Sequence, residues 1–198
     1  MRITGGMAGG ASLKVPKGYK VRPTPDRVRQ ALFNSLGTRV MGARVLELFG
    51  GTGALSLECL SRGAISALCV EWDELHARFI LENLRNSKLP SGALHVRVQD
   101  VFAALRQIAR AGENFDIVLA DPPYGEKNTS ERSKSLAQKL LDEPALREVI
   151  KPSGLFILGH ARRDRLEIPQ AWQVRKVLEH GDSVIRFLEL LEYEKQNA

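Results

Sequence analysis

From Arg44 onward, short apolar runs alternate with stretches of helical periodicity, and that alternation predicts a fold before any residue chemistry is considered. The runs at 44–49, 66–71, 94–98, 115–120 and 154–159 are nearly continuous in apolar character, as strands buried on both faces are. Between them, residues near 53–62, 73–87, 101–111 and 132–150 place apolar side chains every three or four positions and predict helices. Two further runs, 172–179 and 183–192, flank a turn around His180–Asp182 and predict an antiparallel hairpin. Together these elements predict an α/β, Rossmann-like architecture. Its seven-stranded sheet is mostly parallel, covered by helices on both faces, with the hairpin at the C-terminal end.

The first 21 residues are rich in glycine and lack helical periodicity, so they predict a loose strand pair or an arm that orders on a partner. A helix starts next. Thr24 is the expected N-cap, Pro25 fits the first helical position, and Asp26 complements the positive end of the helix dipole. Val28, Ala31, Leu32 and Leu36 share one face and Gly37 ends the helix. Arg27 and Asn34 lie on the opposite face, with Arg29 to one side. The expected division is a basic arm and helix over residues 1–40, then one domain over residues 41–198.

Charge sharpens that division. The net charge is +6, yet residues 1–44 alone carry +8, with nine Lys and Arg against the single acid Asp26. A basic arm on a near-neutral body predicts a polyanionic partner, nucleic acid above all; the alternative is a tail that only aids solubility. No apolar stretch approaches the about 20 residues of a membrane span, and a cytoplasmic monomer is the expectation. Cys59 and Cys69 sit within apolar patterns, and His76, His95, His160 and His180 are scattered, so no metal site or disulfide is expected. The stretch 126–132 is the polar loop of the domain.

Candidate chemistry gathers at the predicted strand ends. The run Phe115–Ala120 leads directly into Asp121-Pro122-Pro123-Tyr124, which delivers a carboxylate, two prolines and an aromatic ring to the edge of the sheet where ligands bind. Neither proline has an N–H, so the carbonyls of Asp121 and Pro122 are held stiffly and left open to a donor. That set suits a planar base bearing an exocyclic amine. The first strand runs into Gly50-Gly51-Thr52-Gly53, a turn that lets backbone approach a ligand, although the dinucleotide fingerprint would place a third glycine where Ser56 stands. Glu71 follows Gly51 by 20 residues, Asp100 closes the third strand, and Glu47 precedes the turn. Each acid also has a structural reading: Asp100 as a helix cap, Glu47 paired with Arg44, Glu71 as a surface residue. Four carboxylates with no Lys or Arg in the same segments repel a pyrophosphate and attract a cation. S-adenosylmethionine, a sulfonium with an ammonium tail, fits these charges; a nicotinamide dinucleotide does not.

Asp121 to Tyr124 downstream of Glu47-Leu48-Phe49-Gly50-Gly51-Thr52-Gly53 resembles the amino-methyltransferase branch of the class I S-adenosylmethionine-dependent family. The segment Arg22 to Asn34, with Ile3 to Gly6 before it, is similar to the bacterial small-subunit ribosomal RNA guanine-N2 methyltransferase D family, and the likeness spans nearly the whole chain. Two departures stand out: Met7 to Ser12 is uncharged where members usually carry arginines, and His180 replaces a frequent tyrosine. The resemblance implies methylation of the exocyclic N2 of one guanine in 16S rRNA, the guanine 966 type, within an assembling small subunit. It implies that Asp121 and the Pro122 carbonyl accept hydrogen bonds from the amine, that Pro123 shapes the site, and that Tyr124 stacks on the base. Glu71 would hold the ribose and Asp100 the adenine amine, with Phe49, Trp72 and Val101 beside them. Glu47, Gly51 and Gly53 would hold the methionine end. Thr24 and Arg27 would close over the methionine carboxylate or the RNA backbone, and Lys20, Arg22 and Arg29 would contact phosphates. Alternatives are an adenine-N6 methyltransferase on DNA or another RNA, and a non-catalytic RNA-binding assembly factor.

Overall fold

The computed structural model describes residues 1–16, 24–124 and 133–191. After helix α1 (Asp26–Leu36), strands and helices alternate: β1 (Arg44–Leu48), α2 (Ala54–Ser61), β2 (Ser66–Glu71), α3 (Glu74–Ser87), β3 (Leu94–Val98), α4 (Val101–Arg110) and β4 (Phe115–Ala120). Helices α5 (Leu136–Asp142) and α6 (Pro144–Glu148) then precede β5 (Ile150–Ala161), β6 (Trp172–His180) and β7 (Ser183–Leu190). The seven strands form one sheet in the order β3-β2-β1-β4-β5-β7-β6. Strands β1 to β5 pair in parallel, and β7 runs antiparallel to both β5 and β6. The expected Rossmann-like sheet with a closing hairpin is the one observed.

Alternation along the strands divides the interior into two cores. Val45 and Ile117 point into a core shared with Leu32, Phe33, Leu57 and Ile80 on one face. Leu46 and Val118 point into the other, with Leu105, Ile108, Leu140 and Leu146. Sheet order reverses between β1 and β4, because the chain leaves β1 toward β2 and later returns to β1's other side. That reversal opens a crevice beyond the strand ends, the usual place for a ligand in this kind of sheet.

Three sequence expectations change. The helix expected over 132–150 is two helices, because Glu143 takes an extended backbone (φ −74°, ψ 113°) ahead of Pro144; proline disfavours a helical residue before it and donates no N–H. Thr24 is not the N-cap of α1. Pro25 occupies that position, and the Thr24 hydroxyl donates instead to the Asp121 carboxylate. Arg29 is no phosphate contact: its side chain is fully buried. Its guanidinium donates to the Thr24 carbonyl at 2.9 Å, to the Arg2 carbonyl, and to Asp26 at 2.9 Å. Lys20, Arg22 and the 126–132 loop lie outside the described residues.

Residues 1–16 are packed on the body rather than extended from it. An antiparallel bridge joins Arg2 to Ser12, and Ile3, Ala8 and Leu13 enter the same core as Leu32 and Val45. The polar anchor is Glu58 on α2, whose fully buried carboxylate accepts the Thr4 N–H at 2.8 Å, the Thr4 hydroxyl at 2.7 Å and Arg62 Nε at 2.9 Å. Removing it strands an N–H, a hydroxyl and a guanidinium whose partner it was. Glu58→Ala is therefore expected to destabilise the fold by about 3 kcal/mol, read as a lower urea midpoint at unchanged m-value.

Candidate active site

β1, β2 and β4 finish within a residue of one another, and β5 runs on past them. Leu48 pairs with Val70 on one side and Ala120 on the other, and Ala120 pairs onward with Leu158. The segments that follow these residues are thereby brought side by side. After β1 the chain turns sharply through Phe49, at φ 61°, where a bulky residue is rare. Gly53 sits at φ 73°, and a Cβ there would lie 2.7 Å from Ile80 Cγ2, so neither its backbone nor its packing admits a side chain. Glu71, nearly fully buried, accepts the Gly51 N–H at 2.7 Å and the Asp73 N–H at 3.0 Å. One carboxylate thus ties the β1–α2 turn to the end of β2.

A cleft of about 270 Å³ opens above this turn. It is lined by Phe49, Glu71, Trp72, Asp100, Val101, Asp121 and Pro123, all singled out from the sequence, and by His76, Phe102 and Leu136, which were not. Phe102 was legible as the first-turn residue after Asp100-Val101; His76, in the first turn of α3, carried no such signal. Asp100 also caps α4, accepting the Ala103 N–H at 2.9 Å, so its structural reading and its place in the cleft hold together. Among the described residues, no Lys or Arg lines the cleft. Three carboxylates, exposed aromatic surface from Trp72 and the ring of Phe49 suit a cation carrying a planar base, and S-adenosylmethionine fits this donor set.

Glu47 does not join that lining. It is buried beneath the turn, accepting the Ser56 N–H at 2.9 Å and facing Cys69 Sγ at 3.5 Å. Burial pushes its carboxyl up to about 7, against the opposing pull of the Ser56 hydrogen bonds. The expected count of four carboxylates at the ligand is corrected to three, because Glu47 points to the helix side of the turn. Gly51 and Gly53 shape the same turn without lining the cleft.

Asp121 stands in the wall between this cleft and a second, much smaller cavity of about 20 Å³, lined by Thr24, Val28, Leu32, Tyr124, Gly159 and Ser183 among others. Thr24 donates to its Oδ2, while Oδ1 lies over Gly159, where a Cβ would come within 2.5 Å. Burial raises the Asp121 carboxyl above the usual range and the Thr24 hydrogen bond works against that rise. Pro122 is buried and Pro123 exposed. Tyr124 is half-exposed, and its hydroxyl donates to Ser183 Oγ at 2.8 Å. Gly159 was not singled out from the sequence, although a glycine inside an apolar strand run marks a place of close approach. Of the expected RNA contacts among the described residues, Arg27 is exposed and Arg29 is not.

Seven strands in this order, with a glycine turn after β1 and an acid-lined crevice, define the Rossmann-like fold of class I, S-adenosylmethionine-dependent methyltransferases. A family model described as conserved hypothetical protein 95 matches residues 1–189, and the chain belongs to that family. It is 31% identical to the ribosomal RNA small subunit methyltransferase D of Haemophilus influenzae over 89% of this chain and 86% of that protein. The protein of the same name from Escherichia coli K12 is 40% identical over 63% of this chain and 60% of its own length. Among solved structures, a hypothetical protein of Thermus thermophilus superposes with a TM-score of 0.78 at 30% identity, covering 96% of this chain and 99% of that one.

The buried carboxyl of Glu47 makes stability depend on pH. Its folded value, near 7, lies above the ordinary value of 4.5, so the folded state holds the proton longer than the unfolded state does. Stability is then lost as pH rises from about 4.5 to about 7, by about 3 kcal/mol. Glu47→Gln keeps an acceptor for the Ser56 N–H without a titrating proton. The variant is expected to lose that part of the pH dependence, seen in urea unfolding at pH 5 and pH 8.

Proposed function

We propose that the protein transfers a methyl group to the exocyclic N2 of a guanine in 16S rRNA, the guanine 966 type, in the cytoplasm and on an assembling small subunit. The observation that carries this reading is the carboxylate of Asp121, set between an acid-lined cleft and the ring of Tyr124. The relatives bearing the name ribosomal RNA small subunit methyltransferase D support the choice of RNA. So does the concentration of basic residues in the first 44 positions, with Arg27 exposed one turn from Thr24.

S-adenosylmethionine supplies an electrophilic methyl on a cationic sulfur, which becomes a neutral thioether once the carbon has been taken. Phe49, Glu71, Trp72, Asp100 and Val101 are the residues that would hold its nucleoside, and the three carboxylates of the cleft favour its charge. The target nitrogen is a poor nucleophile because its lone pair is delocalised into the ring. The Asp121 carboxylate and the Pro122 carbonyl accept hydrogen bonds from its two N–H groups and favour a tetrahedral nitrogen with an exposed lone pair. Positive charge develops on that nitrogen as the new N–C bond forms, so fixed acceptors act more strongly in the transition state than before it. The surplus proton then leaves to water. Tyr124 offers a face on which a base turned out of its stack can rest.

Asp121→Ala is expected to lower single-turnover transfer at least about 1000-fold while leaving S-adenosylmethionine affinity within about tenfold. The measurement uses tritiated cofactor with 30S subunits, naked 16S rRNA and duplex DNA as separate acceptors. Label on one guanine N2 of the RNA, located by nuclease digestion and mass mapping, bears out the reading. Label on an adenine amine, on DNA, or on nothing overturns it.

A further inference from the structure

Asp121 is clamped from two sides by residues that do not belong to its own strand. On the α1 side, the Thr24 hydroxyl donates to Oδ2. On the β5 side, Oδ1 packs over Gly159, whose Cβ, were there one, would stand 2.5 Å from that oxygen and 3.1 Å from Cγ. Thr24 is itself fixed, because its carbonyl accepts from Nη1 of the buried Arg29 at 2.9 Å, and the same guanidinium reaches the Arg2 carbonyl. The carboxylate plane is thereby set by three elements distant in sequence: the start of α1, the end of β4 and the last third of β5.

We infer that Thr24 and Gly159 are positioning residues which fix the Asp121 carboxylate toward the target amine, with Arg29 holding Thr24 in place. This rests on the acceptor role proposed for Asp121. A carboxylate has about four lone-pair sites, so one hydroxyl leaves it able to accept an amine proton as well. Freezing the carboxylate matters because a small misplacement of an acceptor can cost about 100-fold in rate. The assignment differs from the one the sequence resemblance implies, in which Thr24 contacts the cofactor. Arg29 likewise turns from an RNA contact into part of the support for the site.

The test compares Thr24→Val, which keeps shape and removes the donor, with Thr24→Ser, which restores it. Single-turnover transfer is measured on small-subunit particles from cells lacking the protein, and binding of S-adenosylmethionine by calorimetry. Thr24→Val is expected to transfer about 10- to 100-fold more slowly, with cofactor affinity within about threefold of the parent. The acid limb of its pH–rate profile moves to higher pH, since a hydrogen bond favouring the ionised carboxylate is gone. Thr24→Ser keeps the parent rate within about threefold and leaves the limb in place, and Gly159→Ala slows transfer without weakening cofactor binding. Parental rate and limb in Thr24→Val overturn the inference. So does a loss confined to cofactor affinity, which makes Thr24 a cofactor ligand. Asp121→Ala, run alongside, separates the two levels. If it is inactive while Thr24→Val is not slowed, only the positioning role fails; if it is fully active, the acceptor role fails first.

Discussion

The parallel register that ends β2, β1 and β4 at nearly one level, beside a β5 that runs on past them, is the constraint on which the site depends. Leu48 opposite Ala120, and Ala120 opposite Leu158, bring the glycine turn, Asp121 and Gly159 together without any long-range contact between their side chains having to do so. A slip of one residue would send every side chain of a strand to the other face. For most of β1 that exchange puts one apolar side chain for another, since both faces are buried. Glu47 is the exception. On its present face it meets the Ser56 N–H; on the other it would sit among Leu105, Ile108 and Val118 with no donor. The residue that costs stability when ionised is thus also the one that makes a wrong register costly.

Electrostatics in the cleft follows from which carboxylates face it. Glu71, Asp100 and Asp121 line a volume that no Lys or Arg reaches among the described residues, and each is partly satisfied by protein donors: two backbone N–H groups for Glu71, one for Asp100, a hydroxyl for Asp121. Hydrogen bonds of this sort lower the cost of keeping several negative charges close together, yet they do not neutralise them. A cationic guest completes the balance. An anionic one would add to it, which is why the acid count discriminates between cofactors even after Glu47 has been removed from it.

Much of this was legible in the sequence, for definite reasons. Strands buried on both faces read as unbroken apolar runs, so β1 to β4 fall where the pattern puts them to within a residue or so. Strand ends in such a sheet are ligand positions, which is how Glu71, Trp72, Asp100, Val101 and Asp121 come to line one cleft. What the pattern misplaced is equally physical. Helical periodicity puts Arg29 to one side of α1 but is silent on what covers that side; residues 1–16 do, and they bring the Arg2 carbonyl that Arg29 binds. Glu47 and Glu71 look alike as acids near strand ends, and only the direction of the following turn decides which one enters the cleft. Thr24 satisfied every local rule for an N-cap and was taken by a carboxylate 97 positions away.

That last exchange bears on two opposing demands that the acceptor role proposed for Asp121 makes on it. Withdrawal from water makes a carboxylate a better acceptor, because no solvent competes for its lone pairs and the surrounding dielectric is low. The same withdrawal favours the protonated form, which would accept less well and would put a proton where the amine must donate. Burial alone therefore undoes its own benefit at some depth. A single neutral donor offsets this: the Thr24 hydroxyl favours the charged form, yet carries no positive charge to compete with the cation expected in the neighbouring cleft. A Lys or Arg in that position would ionise Asp121 more firmly and repel the methyl donor. A hydroxyl is the donor that meets both requirements, and α1 is the element that brings one to Oδ2.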